Sequence, residues 1–181
     1  MAFTFLVEDG TGLAAATSYV SIAEALDLLF TDSLRHAAFN SAVTKDKENT
    51  LSLASTYLDT RFKWEGCKAV DASGLRWPRA NVLDRDNVKV LKTVIPTSLK
   101  HATALVAALM LEAKLSFSNA ANSTQQYPIT ELKVDVINID FQVPDTDFLL
   151  QGERVPDEIK FILQGFGAPV SAQSSFVKIN K

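Results

Sequence analysis

The chain has one cysteine, Cys67, which excludes an intramolecular disulfide and any cysteine-based zinc site. Its two histidines, His36 and His101, lie far apart and lack the close spacing of metal motifs. The most apolar run is Ala102–Leu111, well short of the ~20 residues that cross a bilayer. The opening residues, MAFTFLVEDG, lack the cationic stretch and apolar run of a secretory signal. There is no Gly-Lys-Ser/Thr phosphate loop, no Gly-x-Gly-x-x-Gly, and no internal repeat. These absences lead us to expect a soluble protein of a reducing compartment, with no membrane partner, metal or cofactor.

What is present suits one globular domain: 181 residues, 47% hydrophobic and 22% charged. No catalytic constellation stands out, and we expect no enzyme. His101 sits beside an apolar helical stripe, and His36 has no nucleophile or acid at helical spacing. Cys67 has lysines nearby but no paired histidine. Asp135, Asp140, Asp145 and Asp147 read as a solvated sheet face, because the twelve-residue calcium loop is missing.

The periodicity predicts a mainly α fold: a small helical bundle with a long loop, a short β segment and an extended C-terminal tail. Ser21 and Glu24 form a capping box for a helix to about Phe30. A short turn at 33–40 precedes a helix over about 45–62. The strongest helix starts at Pro96 and runs to about Phe117, apolar nearly all round and so central. A further short helix spans about 156–164, stopped by Gly165. Residues 2–7 read as a strand. The alternation over 131–143 slips phase at Val136–Ile137, meaning a bulge or two strands at a tight turn. Residues 63–95 read as a long structured loop with a helical turn near 84–91. The expected domain is 1–165, with 166–181 a docking tail.

The net charge of −3 conceals an asymmetry: residues 61–100 carry +5 and the remainder −8. This basic middle interleaves Arg61-Phe62-Lys63-Trp64 with Arg76-Trp77-Pro78-Arg79. Three readings are open. The tryptophans and arginines can stack on bases and neutralise phosphates, form a protein–protein hot spot, or pin the loop onto the helices. The candidate interface is Trp64, Arg76, Trp77, Arg79 and Arg85, with Phe176, Val177 and Ile179 of the tail.

Several stretches carry a family resemblance: Val7-Glu-Asp-Gly10, Ser18-Tyr19-Val20-Ser21-Ile-Ala-Glu24-Ala25, and Tyr57-Leu58-Asp59-x-Arg61-Phe62-x-Trp64-x-Gly66. Trp77-Pro78-Arg79 and Ile95-Pro96-x-x-Leu99-Lys100-x-Ala102 complete the series. In order and spacing the chain resembles a phage and prophage group often labelled DnaT-like single-stranded-DNA-binding protein. It is also similar to the head–tail connector class, small helical proteins that form a twelve-fold ring under the portal.

The two resemblances imply different functions. A strand-gripping protein usually has net positive charge, whereas this chain has a pI near 5.4, and opposite charged faces suit head-to-tail assembly. The expected function is therefore a virion head–tail adaptor, a ring of twelve copies at the head–tail interface, assembled after synthesis in the host cytoplasm. Its expected partners are the portal, tail or nozzle and tail-terminator proteins, and other copies of itself. Genomic DNA would pass its lumen without sequence-specific binding. The alternative is a single-stranded-DNA-binding replication accessory protein.

Overall fold

A computed structural model describes residues 4–112, 131–134, 137–140 and 155–170. The fold is mainly α, with three short two-stranded sheets among the described residues. The capping box forms as expected: Ser21 accepts from the Glu24 amide at 3.2 Å, and the Glu24 carboxylate takes the Ser21 amide at 3.0 Å. It starts α1, Ile22–Leu29. The Lys100 ammonium, 2.6 Å from Glu24 Oε1, ties that cap to the central helix and holds the Glu24 carboxyl below its usual range.

The segment expected as a turn at 33–40 is a helix, α2, Ser33–Ser41. Its weak apolar stripe hides it in the sequence, but Asp32 caps it by accepting from the Arg35 amide at 3.2 Å. Helix α3 spans Thr44–Arg61 and buries Leu51, Ala54, Tyr57 and Leu58. Helix α4, Thr97–Leu111, is central, with 102–109 buried throughout. It packs against α1, α2, α3 and α5, the last spanning Asp157–Ile162. Pro96 is the residue just outside α4, not its first turn. The expected extension of α4 toward Phe117 lies outside the described residues. Among the described residues, no helix is long and apolar enough to cross a membrane.

The 63–95 stretch is where the structure departs most from expectation. It starts within β1, Phe62–Trp64, and carries β2, Cys67–Lys68, and β3, Arg79–Ala80, with β2 and β3 antiparallel. No helical turn forms at 84–91. Leu83 bridges Lys89 there, and Asp84 Oδ1 accepts from the amides of Asp86 at 2.9 Å and Val88 at 2.8 Å. An aspartate that bonds its own following amides closes a turn and competes with helix.

The alternating segment is an antiparallel hairpin, β4 Glu131–Val134 with β5 Ile137–Asp140, so the phase slip marks two strands. The expected N-terminal strand reduces to one bridge, Val7 with Ser18. Finally, β6, Gly167–Pro169, pairs with β1 in the register Phe62–Pro169 and Trp64–Gly167. The first residues of the segment set aside as a tail are thus paired with the β1 strand. Phe176, Val177 and Ile179 lie outside the described residues, as do Phe141, Val143, Asp145 and Asp147.

Candidate functional site

The tryptophans and arginines of the basic middle divide into an inner set and an outer one. Trp77 is 0% exposed and Trp64 only 7%. Their rings meet edge-on at 5.9 Å; Phe62 stacks on Trp64 at 5.3 Å and Phe166 meets Trp77 at 6.0 Å. Arg79 is 9% exposed, and its guanidinium is spent on main-chain carbonyls. Nε donates to Glu65 O at 2.6 Å, Nη1 to Arg76 O at 3.1 Å, and Nη2 to Gly66 O at 2.8 Å. The planar fork holds the turn between β1 and β2. Gly66 has φ +65° there, and a side chain would run into the Ala80 carbonyl.

Asp59 on α3 joins this cluster to the N-terminal segment. Its Oδ1 accepts from Tyr19 Oη at 2.7 Å and Trp64 Nε1 at 3.1 Å, while Oδ2 accepts from the Arg76 amide at 2.9 Å. The same tyrosine oxygen accepts from the amides of Arg76 and Trp77. Burial pushes the Asp59 carboxyl above its ordinary value although these hydrogen bonds pull it down. It also pushes the Tyr19 hydroxyl well up, reinforced by the charge of Asp59. The resemblance-bearing residues Tyr19, Asp59, Trp64, Trp77 and Arg79 are therefore one internal brace. This corrects their reading as a surface: Trp64, Trp77 and Arg79 cannot meet a strand without opening the core.

Arg76 and Arg85 remain outside, with Lys63, Lys89 and Lys92, all exposed. Arg85 stands on the rim of an open groove of about 590 Å³ between the 84–86 turn, the first turns of α4, and α5. Gly165, at φ +96°, lets the end of α5 approach the backbone of Arg85. Phe166 lies in the groove and also against Trp77, so the brace supports it. Phe161 lines the groove and is 71% exposed.

Sequence reasoning missed Phe161, but a signal existed. Ile159 is buried and lies two positions away on the same helix, about 200° around it, so both cannot face one core. No cluster of His, Cys, Asp or Glu suited to a metal occurs among the described residues.

The profile of the family described as "Putative DnaT-like ssDNA binding protein" matches residues 3–179. The chain belongs to that family. No curated protein matches it, and no solved structure does. The DnaT-like assignment corrects the expectation of a head–tail adaptor ring, since no match points to a connector or to portal or tail partners. The acidic pI misled because net charge is a sum over the whole chain. A strand meets a local surface, and the DnaT-like chain has exposed cations in its middle.

Proposed function

We propose that the protein binds single-stranded DNA without sequence preference and serves as an accessory in DNA replication, acting by holding the strand and not by chemistry on it. The family match over 3–179 carries this reading. The local charge supports it: Lys63, Arg76, Arg85, Lys89 and Lys92 are exposed, and none forms an ion pair among the described residues. Cations not engaged within the protein can replace the counterions of a phosphate backbone.

Each phosphate neutralised on a single strand contributes about −0.7 to the slope of log affinity against log salt. Three to five contacts predict a slope of roughly −2 to −3.5. Titrating a labelled oligo(dT) by fluorescence anisotropy at several salt concentrations measures it. Binding that weakens along such a slope supports the proposal. No binding at low salt, or binding indifferent to salt, would overturn it.

A further inference from the structure

The groove beside Arg85 brings together features that suit one nucleotide unit of a strand. Phe161 offers an exposed aromatic ring, and ring faces stack on any base. Arg85 is an exposed cation at the rim with no ion pair among the described residues. Thr97 and Ser98 line the same groove at the first two positions of α4, whose amides fall outside the intrahelical ladder. Pro96, the capping residue, provides no side-chain acceptor for them. At about 590 Å³ the space is within the range of small-molecule sites, roughly 300–1,000 Å³.

From this we infer that the groove is where an unpaired nucleotide seats, its base on Phe161 and its phosphate toward Arg85 and the start of α4. The inference rests on the proposed single-strand function and assigns it a place. Two carboxylates oppose it, Asp84 and Asp86, and the opposition of one is useful. Asp86 is exposed on the same rim and presents a negative charge to any phosphate. Asp84 also lines the groove and keeps its negative charge, but its Oδ1 accepts from the amides of Asp86 and Val88, so only Asp86 can be changed without opening that turn. The strand therefore gains from Arg85 and is opposed by Asp84 and Asp86, and removing the Asp86 charge tightens binding.

The test compares labelled oligo(dT) binding by the wild type and four variants, each checked for folding by circular dichroism. Phe161→Ala and Phe161→Leu are expected to weaken binding by about 5- to 100-fold, because leucine keeps the apolar bulk but has no ring face. Arg85→Ala is expected to weaken binding and make the salt slope shallower by about 0.7. Asp86→Asn is expected to tighten binding by roughly two- to five-fold at low salt, with the gain fading as salt rises. That gain cannot be produced by a damaged fold. If the wild type binds and neither the Phe161 variants nor Asp86→Asn shift the affinity, the strand lies elsewhere and the inference fails. If the wild type itself does not bind, the proposed function has failed.

Discussion

Trp77→Ala is expected to lower folding stability by about 3–5 kcal/mol, the cost of truncating a large buried aromatic. The midpoint of urea unfolding measures it, provided the slope is unchanged. The side chain is wholly buried, with Trp64 and Phe166 packed edge-on against it. Among the described residues its indole N–H has no acceptor, so Trp77→Phe, which keeps a ring and removes that donor, is expected to recover most of the loss. A domain has only about 5–15 kcal/mol to lose. Any fall in DNA binding by the alanine variant then tracks the unfolded fraction. A loss below about 1 kcal/mol for alanine would place the tryptophan at the surface after all.

Asp59→Ala is expected to be comparably damaging, about 3 kcal/mol or more, because it strands buried donors at roughly 1–3 kcal/mol each. Those donors are Tyr19 Oη and Trp64 Nε1, with the Arg76 amide beside them. Asp59→Asn retains an accepting oxygen but turns an amide N–H₂ toward groups that donate, so it falls between the two.

The pH dependence separates them further. Burial raises the folded carboxyl above its ordinary value of 3.8, so the folded state holds this proton more tightly than the unfolded state. In the window between 3.8 and that raised value, stability from this group grows as pH falls and is lost as pH rises. The stability gap between wild type and Asp59→Asn is therefore expected to widen on acidification. Urea unfolding at neutral pH and within that acid window measures it. A gap that narrows instead would mean that the hydrogen bonds outweigh the burial.

How far the sequence could be read depended on the distance between partners. The capping box was legible because Ser21 and Glu24 are three positions apart and meet within one helical turn. Gly165 was expected as the stop of a helix to about 164, but α5 ends at Ile162 with Leu163 as its cap, and the positive φ of Gly165 serves the close approach to Arg85 instead. The central helix showed itself through the apolar run at 102–111, nearly all of it buried. The brace was not legible, because Tyr19, Asp59 and the 76–77 amides come from segments whose contact only folding supplies. Without Asp59 and the carbonyls at 64–66, Trp64, Trp77 and Arg79 have the composition of an interface, and composition alone left that reading open beside the pinning of the loop that the structure shows. The groove depended on a similar convergence. Arg85 was singled out by charge, while Phe161 passed as one more apolar residue of a short helix.

Arg79 shows most plainly why residue type could not decide. Arginine suits phosphate because of its planar fork of donors, and the same fork suits a ring of main-chain carbonyls. Its four donor contacts with the carbonyls of 64, 65, 66 and 76 use that fork for architecture. In the proposed function the electrostatic part of strand binding falls to the exposed cations and not to Arg79.

The most direct measurement follows oligo(dT) binding by two signals at once: anisotropy of a labelled strand and intrinsic tryptophan emission of the protein. The chain has two tryptophans, Trp64 and Trp77, and both are buried in the brace. Binding at exposed cations and Phe161 predicts that anisotropy rises to saturation while tryptophan emission keeps its intensity and wavelength. Quenching that grows in step with anisotropy would contradict the account, because it would put bases in contact with the tryptophans assigned here to the core.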